Sequence, residues 1–237
     1  MPSYLRTDVS DMKIKLSASA FLLCVIIFIS CVGQNNSALY PVPDESYFET
    51  EIRGRTIDTS KITETMNGIT PNSIPEWLSA FFEGGIEAVE SLNSYNGKYV
   101  FIGENKGENF NALNKWADNF SPVYDFPMLA AARVERRMIL TSSLYPDDEY
   151  GLFFEKMVLN AYSGEYQGAV KEDIYWIKMK SENETDEYIF FILITINKTT
   201  MRTIITNMMT LTFNAVTPSG AQASAVERLR QTFFEGF

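Results

Sequence analysis

Histidine is absent from this chain of 237 residues, and cysteine occurs only twice, at Cys24 and Cys31. Without histidine, the Ser-His-Asp and Cys-His arrangements of nucleophilic catalysis are excluded, as are most zinc sites. Carboxylate pairs, lysine and tyrosine can also support catalysis, but the sequence gives no sign that such groups converge. We therefore predict that the protein is not an enzyme and holds no metal or cofactor.

Positive charge is also scarce, because 20 Lys and Arg stand against 30 Asp and Glu, a formal net charge of −10. Proteins that bind nucleic acid use clustered positive charge to displace counterions from phosphates, and no basic stripe occurs here. An acidic surface also disfavours attachment to anionic lipid headgroups. We therefore expect no nucleic-acid partner, and any residence on a membrane must come from acyl chains.

The chain has one long uncharged apolar run, residues 16–32, near its start. The run is shorter than the roughly 20 residues that a helix needs to cross a bilayer. Polar residues 33–36 follow it, and the next basic residue is Arg53. These features predict a cleaved export signal over residues 1–30. An ordinary secretory peptide cut elsewhere, or an uncleaved anchor, is the alternative.

The first eleven residues do not suit a positively charged leader, because they include Asp8 and Asp11. Lys13 and Lys15, which follow Met12, do suit one. We expect translation to begin at Met12, and we assign no function to residues 1–11.

Residues 28–31, Phe-Ile-Ser-Cys, are similar to the lipobox of bacterial lipoproteins. The resemblance implies cleavage before Cys31 and a diacylglycerol on its sulfur. Phe28 departs from the pattern, since Leu, Val or Ile is usual there. Cys24 would leave with the leader, so we expect no disulfide within the chain. The predicted location is the bacterial outer membrane, on its periplasmic or surface face, with the acyl chains on Cys31 as the membrane contact.

A flexible tether is predicted over residues 31–70, which are mostly polar and include Pro41 and Pro43. Loose alternation over residues 47–57 favours at most one edge strand within it. The folded domain is predicted to span residues 71–237 and to open at a proline-flanked segment whose Trp77 docks on the core.

The predicted fold class is α+β, with a small antiparallel sheet of three or more strands packed with about five helices in a single domain. Apolar runs predict strands at residues 98–103, 174–179 and 188–196, and an acidic turn joins the last two. Because the third strand is apolar on both faces, helices or a second copy of the chain must cover both sides. A period of 3.6 residues predicts helices around residues 110–120, 126–138, 152–163, 201–212 and 225–237.

Two helix starts carry candidate caps. Asp125 is expected to cap the second helix, with Pro127 in its first turn. Asp147, Asp148 and Glu149 together could suggest a metal or acid-base site. We interpret them instead as the start of the third helix, with Asp147 as its cap. The arginines of the second helix are predicted to point mostly away from its apolar face: Arg133, Arg136 and Arg137.

Several motifs occur in a recognisable order. A Pro-Glu-Trp opening at residues 75–77 precedes a strand at 99–104, an alanine-rich helix around 129–133, and a strand with Trp176 paired to residues 188–196. This order resembles a family of small bacterial outer-membrane lipoproteins that includes the flagellar lipoprotein FlgP, over about residues 74–210. Phe-Ser-Pro at residues 120–122 interrupts the long helix usual in that family. The resemblance implies an envelope-assembly or structural component, often oligomeric, without catalytic residues.

We predict a lipid-anchored envelope protein that acts through contacts with other envelope proteins or with further copies of itself. The alternative is a periplasmic lipoprotein that binds a lipid or small hydrophobic ligand between the sheet and the helices. A pocket of a few hundred Å³ would favour the alternative, whereas a sealed core with an exposed apolar patch would favour a protein partner. The side chains expected to line such a pocket are Phe190, Ile192, Met208 and Met209.

Overall fold

The computed structural model describes residues 57–68, 74–145, 148–180 and 185–237. All of them belong to the unit Pro43–Phe237. The predicted leader, Cys31 and residues 31–56 of the predicted tether lie outside the described ranges. Most of the possible edge strand at residues 47–57 lies outside them as well.

The sheet has four strands, and every neighbouring pair is antiparallel. Its strands are β1 (Ile62–Thr65), β2 (Lys98–Gly107), β3 (Val170–Lys180) and β4 (Asp186–Asn197). Their order across the sheet is β1-β3-β4-β2. The predicted pairing of the last two strands is confirmed, from Val170↔Thr195 to Lys180↔Asp186.

Six α-helices accompany the sheet in the described ranges, one more than predicted. They are α1 (Glu76–Glu90), α2 (Phe110–Asn119), α3 (Phe126–Ser142), α4 (Leu152–Tyr162), α5 (Lys198–Val216) and α6 (Gly220–Thr232). Helices α2 to α6 correspond to the five predicted ones. Helix α1 is the additional one. For this segment the sequence predicts only that Trp77 docks on the core, not that the segment forms a helix. The α+β fold class is confirmed.

Two separate cores cover the two faces of β4, as its apolar character on both faces predicts. Phe190, Ile192 and Ile194 lie in one core, which also holds buried apolar side chains from each of the helices α2 to α6, and we call it the helical core. Ile189, Phe191 and Leu193 lie in the other core. All of its helical residues come from α1, and we call it the α1 core. Alternate residues reach opposite cores because strand side chains alternate between faces.

The folded domain begins earlier than residue 71. Ile57 and Ile62 are buried in the α1 core. Strand β1 pairs with β3 from Ile62↔Met179 to Thr65↔Ile177. The predicted tether includes residues 57–68, and that boundary is wrong, because these residues supply an edge strand of the sheet.

Only one of the two predicted caps occupies its helix start. Asp125 is the N-cap residue of α3, with Pro127 in the first turn, but its carboxylate accepts a hydrogen bond from the Ser121 N–H at 2.7 Å rather than from the helix. Asp147 is not the N-cap of α4, because that helix begins at Leu152 with Gly151 at the N-cap. Asp147 itself lies outside the described ranges.

Helix α1 bends at a glycine pair. Gly84 has φ −146° and ψ 16°, and Gly85 has φ +70° and ψ −161°. The second of these conformations is accessible essentially to glycine alone. The bend lets both halves of the helix reach the α1 core, through Trp77, Leu78, Phe81 and Phe82 before it and Ile86 and Val89 after it.

Candidate functional site

The predicted lipid attachment site, Cys31, lies outside the described ranges, and its lipidation stays a prediction. Within those ranges, no helix is both long enough and apolar enough to span a bilayer. The candidate sites that the structure describes all lie in the folded domain.

The acidic cluster after residue 145 makes structural contacts. The carboxylate of Asp148 accepts hydrogen bonds from Nε and Nη2 of Arg228, the first at 2.9 Å, and this raises the pKa of the Arg228 guanidinium. Glu149 Oε1 accepts from Gln222 Nε2 at 3.3 Å. These bonds tie α6 to the segment before α4. No group of three His, Cys, Asp or Glu side chains suited to a metal occurs among the described residues.

The four residues expected to line a ligand pocket are instead packed in the helical core. Phe190 and Ile192 are fully buried, and Met209 and Met208 are 1% and 9% exposed. None of the four lines the cleft described next.

A small cleft opens where α1, α3 and residues 236–237 meet, and its volume is about 70 Å³. We call it the arginine cleft. Four of its lining residues come from α3, at spacings of three, four and seven, which places them on one face of that helix. The lining residues are Ile86, Glu87, Arg133, Arg136, Arg137, Leu140, Gly236 and Phe237.

Arg133 is held at the wall of the cleft by an ion pair. Its Nη1 donates to Glu90 Oε1 at 3.0 Å and to the Val100 carbonyl at 3.0 Å. Its guanidinium also lies 4.9 Å from the centre of the Phe237 ring, a cation–π contact. Both charged side chains of the ion pair are largely buried, at 14% and 11% exposed. These contacts give Arg133 a structural role.

Arg137 is different, because its hydrogen bonds go to backbone rather than to a carboxylate. Its Nε donates to the Phe233 carbonyl at 2.6 Å and its Nη2 to the Thr232 carbonyl at 2.8 Å. The C-terminal end of α6 is the negative end of its dipole, and it stabilises the positive charge of Arg137. Burial lowers the pKa of Arg137, and the nearby Glu235 opposes this to a smaller extent.

Gly236 leaves the remaining nitrogen of Arg137 uncovered. Its φ is +71°, and a Cβ at this position would lie 3.8 Å from Arg137 Nη1. This is an ordinary contact distance, so even a Cβ would touch the guanidinium. The cleft therefore presents the partly buried guanidinium of Arg137.

The sequence predicts that the three arginines lie off the apolar face of α3, where Ala130, Val134 and Met138 are indeed fully buried. It does not predict that the arginines meet α1 and residues 236–237 in one cleft. The available signal is three arginines within five positions of an acidic chain. Their convergence with α1 depends on tertiary packing, which that spacing does not encode.

Comparison with known protein families, characterised proteins and solved structures gives no match. The resemblance to small outer-membrane lipoproteins therefore stays a prediction.

Proposed function

We propose that this protein is a lipid-anchored component of the bacterial envelope that acts through non-enzymatic contacts with other envelope proteins. The observation that carries the proposal is the Phe-Ile-Ser-Cys segment at residues 28–31, which ends an uncharged apolar run and precedes polar residues. Acyl chains contribute about 0.8 kcal/mol per buried CH₂, and two chains suffice for stable anchoring. Anchoring would raise the local concentration of the domain near its partners.

The exposed apolar side chains of the domain support contact with a partner. Ile139, Leu140 and Leu144 lie at the end of α3 and just after it, and they are 48%, 46% and 61% exposed. Exposed apolar groups such as these are available for contact with another surface. By contrast, the buried positions of Phe190 and Met209 give no support to a hydrophobic ligand between sheet and helices.

Metabolic labelling with palmitate tests the anchor. The wild type is compared with Cys31→Ala and with the matched variant Cys24→Ala, which removes the other cysteine of the chain. We expect label and membrane association in the wild type and in Cys24→Ala, and neither in Cys31→Ala. Label that survives Cys31→Ala, or a wild-type protein recovered in the soluble fraction, would contradict the proposal.

Intact mass spectrometry provides a second test. We expect a mature chain that begins at Cys31 and carries the mass of a diacylglyceryl group, whether translation starts at Met1 or Met12. An unmodified Cys31, or a leader still attached to it, would remove the basis of the proposal.

A further inference from the structure

Arg137 combines three properties that suit an anion-binding site. It is partly buried, it lines a cavity, and no carboxylate of the described residues lies within ion-pairing distance of it. Its bonds to Thr232 and Phe233 occupy Nε and Nη2, and Nη1 has no acceptor within the described ranges. Burying a cation without a counter-charge is costly, so an anion bound at Nη1 would be stabilising.

The charge around the cleft sets the charge of the anion. Three arginines line the cleft, in a chain whose overall charge is −10. A dianion would be repelled more strongly by Glu87, which lines the cleft.

The volume of the cleft and the apolar side chains near it indicate which chemical group the anion carries. Its volume of about 70 Å³ is small, so we expect only the headgroup of a ligand to lie inside it. Leu144 follows Leu140 by four positions, in the turn after α3, and these two side chains are 61% and 46% exposed. An alkyl chain that leaves the cleft can cover this apolar surface, at about 25 cal/mol per Å² buried.

We propose that the arginine cleft binds the carboxylate of a fatty acid or a similar single-chain aliphatic acid. The carboxylate accepts from Arg137 Nη1, and the alkyl chain lies along Leu140 and Leu144. This proposal does not rest on the lipid anchor, and it would stand if Cys31 were unmodified.

Substitution of Arg137 alone cannot separate binding from structure, because Arg137 also holds the end of α6. The main variant is therefore Leu140→Glu, which places a negative charge at the cleft on a side chain that is already 46% exposed. Leu211→Glu is its matched control, because Leu211 is 68% exposed on α5 and does not line the cleft. Leu144→Glu is a second test variant, should Leu140→Glu fail to fold by circular dichroism.

The experiment is calorimetric titration of the full-length protein in an uncharged maltoside detergent, with titrations into detergent alone subtracted. The probes are octanoate, octanol, acetate and octyl phosphate. We expect octanoate to bind at least about tenfold more tightly than octanol, which lacks the charge, and than acetate, which lacks the chain. Leu140→Glu should weaken octanoate binding at least about tenfold, and Leu211→Glu should leave it within about twofold.

Four outcomes would overturn the proposal. Octanoate that does not bind, or that binds no better than octanol or acetate, would remove the ligand assignment. Tighter binding of octyl phosphate would assign the cleft to a different headgroup. Unchanged binding in a folded Leu140→Glu or Leu144→Glu would place the ligand elsewhere. Equal loss in Leu211→Glu would show a general effect of surface charge.

Discussion

The guanidinium Nη1 of Arg133 lies 3.0 Å from the Glu90 carboxylate, and both groups bind the backbone of the same residue on an edge strand. The Val100 N–H donates to Glu90 Oε1 at 3.0 Å, and the Val100 carbonyl accepts from Arg133. The ion pair therefore occupies the positions that a neighbouring strand would use. Native proteins protect the free edges of sheets in this way against pairing with other chains.

Glu90→Ala is expected to destabilise the domain by about 3 kcal/mol, because it leaves Arg133 and the Val100 N–H without their partner in a largely buried place. The measurement is urea unfolding followed by tryptophan fluorescence. Glu87→Ala, at an exposed glutamate on the same helix, is expected to change stability by no more than about 0.5 kcal/mol. Equal losses in the two variants would argue against the capping role of Glu90.

Gly85→Ala is expected to destabilise the domain by about 1–3 kcal/mol, because Gly85 has φ +70° and alanine is strained there. Thermal unfolding measures the change. Gly220→Ala is the control, because Gly220 opens α6 and a Cβ added to its backbone would have no neighbouring atom within 4 Å. That substitution should be neutral or stabilising by up to about 1 kcal/mol. A harmless Gly85→Ala would mean that α1 can straighten without loss of its core contacts.

Trp77→Phe is expected to cost about 1–2 kcal/mol, because it leaves a carboxylate oxygen without its donor. Trp77 is 4% exposed, and its Nε1 donates to Asp173 Oδ2 at 2.9 Å. Asp173 lies where the pairing of β3 with β4 shifts register. The hydrogen bond therefore connects the start of α1 to this point of the sheet. Equilibrium unfolding in urea measures the loss.

The control for Trp77 is Trp116→Phe. Trp116 is partly buried against Phe120, and its indole has no hydrogen-bond acceptor among the described residues. A smaller loss is expected from Trp116→Phe than from Trp77→Phe. The opposite ranking would show that aromatic packing, rather than the bond to Asp173, dominates at these sites.

Glu135 predicts a pH dependence of stability. Burial raises its pKa, and a hydrogen bond from Tyr162 opposes this in part. The folded state therefore holds the proton more tightly than the unfolded state does, and stability is lost as pH rises from the unfolded pKa of about 4.3 through the raised folded pKa. Glu135→Gln keeps the acceptor for Tyr162 but removes the charge, so it should be more stable than the wild type at neutral pH.

Thermal melts across the acidic and neutral range check this expectation. The advantage of Glu135→Gln should shrink as pH falls below about 4, where the wild-type carboxyl is protonated in both states. Glu155→Gln, on the exposed face of α4, controls for the loss of one negative charge. A Glu135→Gln advantage that is constant with pH would have another cause than titration of this group.

The strands and helices with strong periodicity could be predicted from sequence, because burial imposes the pattern directly. Strand β4 is apolar at every position from Ile189 to Ile194, and the structure buries both of its faces. Helix α5 is equally clear, since Met201, Ile205 and Met208 repeat on one side and are buried.

Other elements carry weaker signals. Helix α1 is not predicted because Gly84 and Gly85 interrupt its period, and adjacent glycines usually mark a turn. Strand β1 has only four residues, of which Ile62 and Thr65 are buried, too few for a period to stand out. The arginine cleft requires the contact of α3 with α1, more than forty positions apart as Glu90 and Arg133 show. Local spacing does not specify such a contact.

The strand order has a consequence for how the chain is made. Among the described strands, β1 pairs only with β3, and β2 pairs only with β4. A ribosome completes both edge strands long before residues 170–197 exist, so neither has a partner during most of synthesis. Such long-range pairing slows folding. Under the export that we propose, this delay would help to keep the sheet open while the chain passes through a translocation pore.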